Sequence, residues 1–227
     1  MHIEPGVVTG AKLALGYATG AGSIVIAGKL AFDAIRNNGV TEFAGRALVA
    51  TGMVFSFFQI LPHVPVGVSE VHLILGSTLL LTLGAGPAAV GLVLGLLVQG
   101  LFFVPSDLPQ YGMNVTTLIG SLGALAIVAR RSIPARTAYV DLSYGQVMRM
   151  SLAFQAVTVA WVAFWVLWGQ GASLATFGHI ATFGAAYLSV ILIEPLIDLG
   201  VLAVAKRLRN SAARSWFVPR MFEPAVA

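Results

Sequence analysis

Residues 86–104 read GPAAVGLVLGLLVQGLFFV, a run without one ionisable side chain. A helix of this length measures about 28 Å at ~1.5 Å per residue, enough to cross a hydrocarbon core about 30 Å thick. Gly86 and Pro87 sit where a tight connection opens into a helix, with proline in the first turn. Six further apolar runs flank it, near 8–32, 42–61 and 71–84 before it and 113–129, 147–168 and 176–205 after it. Together they predict an all-α integral membrane protein, a bundle of about seven transmembrane helices. Residues 1–205 form a single membrane domain and 206–227 a basic tail, expected to be solvated or interfacial. The run 71–84 is short and reaches the next across only Gly84-Ala85-Gly86-Pro87. It is expected either to sit tilted or to begin below the membrane surface after a loop that dips inward. Non-helical backbone at that depth must be buried in protein or line a cavity.

Composition agrees. Charged residues are 10% and hydrophobic residues 58% of the chain, with mean hydropathy +0.89; a soluble domain carries roughly 25% charged residues. Too little charge is present to cover a water-facing surface, so lipid covers it. The basic residues lie in particular loops, without a basic helix face or aromatic interleaving, which argues against nucleic acid as a partner. Cysteine is absent, which excludes a disulfide framework, a thiolate metal site and a thiol nucleophile. No basic segment precedes the first apolar run, so a cleaved leader is not expected and residue 1 is expected to be retained.

The basic residues also orient the bundle. Arg36, Arg46, Arg130, Arg131, Arg136, Arg149, Lys206, Arg207, Arg209, Arg214 and Arg220 fall at one end of a seven-span bundle, and Lys29 lies toward that end of the first helix. That places 12 of 13 basic residues on one side, with Lys12 alone opposite. The connections at 62–70, 105–112 and 169–175 hold none. The basic end is expected to be cytoplasmic, with the N-terminus and the 62–70 loop outside.

Four histidines are present: His2, His63, His72 and His179. All are expected at the outer end. A free N-terminal amine, the amide nitrogen of residue 2 and the imidazole of that residue can chelate one metal through a five- and a six-membered ring. One more imidazole completes a planar four-nitrogen site, a geometry that suits Ni(II) or Cu(II) and that low-spin Co(II) accepts. His72 follows Glu70, which either orients an imidazole or is a solvated loop acid. His63, between Pro62 and Val64-Pro65, is an alternative donor. Small-residue pairs Gly16/Gly20, Ala14/Ala18 and Gly91/Gly95 permit close helix approach, with packing inside the bundle the default.

Enzyme signatures are missing. The sequence holds no His-Glu-x-x-His, no Gly-x-Ser-x-Gly and no phosphate-binding Gly-x-x-x-x-Gly-Lys. Glu194 and Asp198, within the last apolar run, are the acids a membrane-embedded enzyme would use. A channel or carrier that needs no ATPase is a third reading. No resident cofactor is expected, and Co(II) or Ni(II) would be cargo.

Several stretches resemble one family. Met1-His2-Ile3-Glu4-Pro5-Gly6 is similar to the M-H-I-x-x-G opening of the CbiM/NikM family, the substrate-binding membrane subunits of cobalt and nickel energy-coupling-factor ABC transporters. Pro65 to Leu73 resembles the Gly-Thr-Ser-Gly-His-Leu region of that family. Gln99-Gly100-Leu101-Phe102 and Tyr111-Gly112-Met113-Asn114-Val115 resemble its Q-A-L-x-F and L-G-A-N-x-F segments. Glu194-Pro195 stands where Glu-Gly is frequent. The resemblance runs from residue 1 to about 200. It implies metal ligation by the Met1 amine, the His2 amide and imidazole, and His72, with His63 in reserve. Ser69, Glu70, Gln99 and Asn114 are candidates to support these ligands. Here Ser69-Glu70-Val71-His72 replaces Ser-Gly-His, one residue longer, and Ser106 to Gln110 replaces an Asp-Gly-Gly loop. The resemblance further implies a transmembrane coupling subunit, a pair of ATP-binding cassette ATPases, often a small accessory membrane subunit, and the plasma membrane of a prokaryote.

Overall fold

The computed structural model describes residues 2–224. Seven helices follow in order: α1 Leu13–Asn38, α2 Val40–Gln59, α3 Gly76–Leu83, α4 Ala85–Phe102, α5 Tyr111–Ser132, α6 Tyr144–Gln170 and α7 Leu174–Arg207. Between α2 and α3 a small antiparallel hairpin pairs β1, Val64–Val66, with β2, Ser69–Val71. Helices α1, α4, α5, α6 and α7 are each long and apolar enough to cross a membrane. With its 20 residues, α2 measures about 30 Å and packs along α4.

Close approach of backbones explains the glycines. A Cβ on Gly20 would lie 2.6 Å from Gly112 Cα, and one on Gly91 would lie 2.5 Å from the Ala50 side chain. The Gly16/Gly20 and Gly91/Gly95 stripes therefore seat α1 on α5 and α4 on α2. Ala14 and Ala18 point outward and are exposed.

The third apolar run departs from a continuous helix over 71–84. Its first residue closes β2, residues 72–75 are extended or irregular, and the helix begins only at Gly76. Every residue of α3 is buried. At eight residues it measures about 12 Å, less than half a bilayer core. The loop that precedes it lies inside the protein, as backbone at membrane depth must. Gly84, at φ +90°, reverses the chain in one residue between α3 and α4. The first helix also starts later than its apolar run, because residues 2–9 are spent in an extended N-terminal segment and turns.

The tail is largely exposed, and near its end it folds back onto the bundle. Val218 N–H donates to the Thr82 carbonyl at 2.8 Å, satisfying the C-terminal end of α3. The Arg220 guanidinium donates to the Pro134 carbonyl, and Met221 and Phe222 are buried.

Candidate metal centre

The centre is assembled on the hairpin. Gly67 and Val68 form its two-residue turn, with Gly67 at φ +65°, the positive φ that the first position of a type II′ turn requires. Along an extended strand alternate side chains share a face. Glu70 and His72, two apart, therefore point the same way.

The N-terminal segment lies alongside β2 and, among the described residues, pairs with it through a single bridge. Ile3 bridges Ser69 in antiparallel register. Glu70 N–H donates to the His2 carbonyl at 3.1 Å, Ser69 Oγ–H donates to the same carbonyl at 2.7 Å, and Glu4 N–H donates to the Val68 carbonyl. On the other side Ile3 N–H donates to Asn114 Oδ1 at 2.9 Å, in the first turn of α5. The peptide following His2 is thus held on both flanks, by Ser69 and by Asn114. Residue 1 lies outside the described residues, and with it the amine of Met1.

Three donor atoms converge. His2 Nδ1 lies 3.2 Å from His72 Nε2 and 3.1 Å from Glu70 Oε2, and His72 Nε2 lies 2.8 Å from the same oxygen. Nδ1 is the imidazole nitrogen that a six-membered ring with the residue-2 amide requires. Donors bound at about 2.0–2.1 Å to one divalent ion and set at right angles are separated by roughly 2.9 Å, so this triangle is the size of a coordination shell. His2 and His72 are 2% and 1% exposed. Burial pushes both imidazoles below their ordinary range, so they are neutral at neutral pH, and each offers its facing nitrogen to a metal once its proton sits on the remote nitrogen. The hydrogen bonds from His2 and His72 hold the Glu70 carboxyl well below the usual carboxylate range.

Aromatic rings pack against the imidazoles. Phe58 meets His2 edge-on at 5.0 Å and His72 at 4.8 Å, and His63 stacks on His72 at 4.9 Å. His63 is exposed, and its Nδ1 faces the Leu61 carbonyl; it covers the site without joining the triangle. Gln99 is buried beside His2 and donates to the Phe58 carbonyl, while its own Oε1 has no partner among the described residues. His179 is exposed near the start of α7.

Glu194 fixes the exit from the site. Its Oε1 accepts the N–H groups of Ile74 at 3.0 Å and Leu75 at 2.8 Å. Leu75 sits at φ +51°, ψ +42°, a left-handed conformation uncommon for a residue with a branched side chain. That twist turns two successive N–H groups toward one oxygen, an anion-binding nest. The carboxylate also accepts from Gln155 Nε2 at 2.6 Å and from Ser151 Oγ. Asp198, one turn on, accepts from Thr78 Oγ1. Both acids anchor α3 through these contacts.

The opposite end of the bundle is unlike this one. A cleft of about 540 Å³ there is lined by Arg36, Arg46, Arg130 and the start of α4.

The chain has counterparts among known proteins. The family model for CbiM, the cobalt uptake substrate-specific transmembrane region, matches residues 2–212. The chain belongs to the CbiM family. Its fold is also that of two solved structures. The crystal structure of a transition metal transporter aligns with TM-score 0.70 at 16% identity, covering 95% of this chain and 96% of that one. A truncated transition metal transporter aligns with TM-score 0.65, also at 16% identity, over 92% and 97%. No curated protein matches in sequence. Membership in CbiM makes the chain a multi-pass membrane component of metal transport, a transport subunit rather than an enzyme.

In this CbiM chain the residue whose place departs most from its sequence reading is Glu70. An acid that orients a ligating imidazole bonds its remote nitrogen. Glu70 instead meets the two nitrogens that face each other. The available signal was the Glu-x-His spacing, which a strand places on one face.

Proposed function

We propose that the chain is the substrate-binding subunit of an energy-coupling-factor ABC transporter that captures Co(II) or Ni(II) at the outer face of a prokaryotic plasma membrane. The Met1 amine, the His2 amide and imidazole, and His72 hold the ion. The approach of His2 Nδ1 to His72 Nε2, 3.2 Å across 70 residues of sequence, carries this reading. Their burial beneath Phe58 and His63 keeps the pair ordered, and the hydrogen bond from Ile3 to Asn114 holds the backbone of the chelate. The ion arrives hydrated and exchanges water for nitrogen, releasing the amide proton, so binding is coupled to proton release. A transmembrane coupling subunit and a pair of ATP-binding cassette ATPases, with a small accessory membrane subunit, supply the energy for release inward.

Calorimetric titration of the purified chain tests the ligand set. One Co(II) or Ni(II) per chain is expected, with affinity reduced by at least about tenfold in His72→Ala and unchanged in His179→Ala. Full affinity in His72→Ala would remove that histidine from the site.

The same reading fixes sidedness, since capture must occur outside. The chain has no cysteine, so single substitutions report cleanly. Pro65→Cys in β1 is expected to react with an impermeant thiol reagent applied to intact cells, and Arg136→Cys, exposed between α5 and α6, only after permeabilisation. The reverse pattern would place the histidine end in the cytoplasm and overturn capture from outside.

A further inference from the structure

In a planar chelate the amine, the residue-2 amide and His2 Nδ1 take three consecutive corners. The fourth corner lies beside Nδ1 and across from the amide. His72 Nε2, 3.2 Å from His2 Nδ1, is placed for that corner. Glu70 Oε2 is 3.1 Å from one of these nitrogens and 2.8 Å from the other. In a shell with metal–ligand distances of about 2.0–2.1 Å, only the positions above and below the plane neighbour both. Glu70 is thus placed over the plane.

Two further observations set a ligand apart from an orienting acid. The remote imidazole nitrogens, His2 Nε2 and His72 Nδ1, are buried and have no hydrogen-bond partner among the described residues. Glu70 meets the donor nitrogens themselves, and once these bind a metal neither has a proton left to give the carboxylate. Its side chain is also 23% exposed where the two imidazoles are 3% and 0%. The Glu70 side chain stands at the mouth of the site.

We propose that Glu70 is an apical ligand to the transported ion, giving a five-coordinate, square-pyramidal centre, and that this fifth donor biases the site toward Co(II) over Ni(II). The proposal rests on the planar chelate of the reading above. Charge favours it. A dication with one deprotonated amide leaves a net positive charge among buried groups, and a bound carboxylate brings the total to zero; an uncompensated buried charge is costly. Electron count supplies the selectivity. In a strong planar nitrogen field low-spin Ni(II) has two electrons in the orbital that points at the apical position, and repels a donor there. Low-spin Co(II) has one, and forms a bond. Nickel must either refuse Glu70 or give up the low-spin plane that is its preferred geometry.

The test uses the full-length purified chain, Glu70→Ala and the isosteric Glu70→Gln, each loaded with Co(II) alone or Ni(II) alone. Competition titration reads the ratio of the two affinities, and X-ray absorption reads coordination number and oxygen neighbours. Wild type is expected to show a five-coordinate Co(II) with one oxygen. Glu70→Ala is expected to lose that oxygen, to lower the Co(II)-to-Ni(II) affinity ratio by at least about tenfold, and to bind Ni(II) as a diamagnetic planar complex. Glu70→Gln, with a weaker neutral oxygen, falls between. An unchanged ratio and an unchanged cobalt shell in both variants would overturn the proposal. A chain extended ahead of Met1 separates the two readings. If extension abolishes binding while Glu70→Ala alters neither ratio nor shell, the apical role alone fails. If the extended chain binds at wild-type affinity, the planar frame fails and the apical assignment with it.

Discussion

Two residues added ahead of Met1 abolish high-affinity binding of Co(II) and Ni(II) while fold and membrane insertion are kept: this is the largest effect expected on the metal site. The extension turns the Met1 amine into an amide and carries the free amine away. A second deprotonated amide would have to form for the chelate to close, and the ring sequence would change. Ligand-supporting residues removed one at a time cost 10–100-fold in affinity. Loss of a direct donor is therefore expected to exceed about 100-fold. No side chain is touched, and the strand contact of Ile3 with Ser69 and the hydrogen bond to Asn114 remain. Helical circular dichroism should match wild type. His2→Ala reaches the same loss by another route, since it removes the Nδ1 that faces His72. Wild-type affinity in the extended form would sink the amine as a ligand.

The bundle is legible because lipid leaves few choices. Each apolar run must form its own backbone hydrogen bonds, so the long runs could only be helices, and they are. The single-residue connection at Gly84 reads directly from glycine and proline. The run 71–84 does not read so easily. Val71, Leu73, Ile74 and Leu75 are as apolar as the helix that follows, and a short apolar run does not distinguish strand from helix. What stops the helix at Gly76 is a carboxylate 119 residues away. The site divides in the same manner. His2 and His72 were legible as candidate donors, one through a chelate its position allows and the other through a motif, and the fold brings the two rings together. Glu70 was legible only as a candidate support for them, because its place beside both nitrogens depends on the hairpin that carries it and on the N-terminal segment that brings His2 alongside. His63 lay near enough in sequence to rival His72, but its ring stacks over the neighbour instead of aiming a nitrogen inward.

Glu194→Ala is the second large effect expected, and it falls on stability as well as on the site. The substitution strips the acceptor from the N–H groups of Ile74 and Leu75 and from Gln155 and Ser151, all buried or nearly so. An unsatisfied buried group costs about 1–3 kcal/mol, so the two backbone amides alone account for about 2–6 kcal/mol, a large share of a total stability of about 5–15 kcal/mol. Leu75 also loses the contact that holds its left-handed conformation, itself strained by roughly 1–3 kcal/mol. The first turn of α3 then frays, and His72, two residues before Ile74, drifts from His2. Thermal unfolding in detergent should come several degrees lower, and metal affinity should fall with it. Glu194→Gln separates capping from charge. Its amide oxygen can keep the nest at Ile74 and Leu75, and its NH2 can donate to Gln155 once that side chain turns over to offer the Oε1 that now has no partner among the described residues. Near-wild-type unfolding and binding are therefore expected in Glu194→Gln. If Glu194→Ala proves as stable and as tight as wild type, the carboxylate does not hold α3 in place. If Glu194→Gln unfolds as readily as Glu194→Ala, acceptor geometry is not enough and the nest needs the full negative charge.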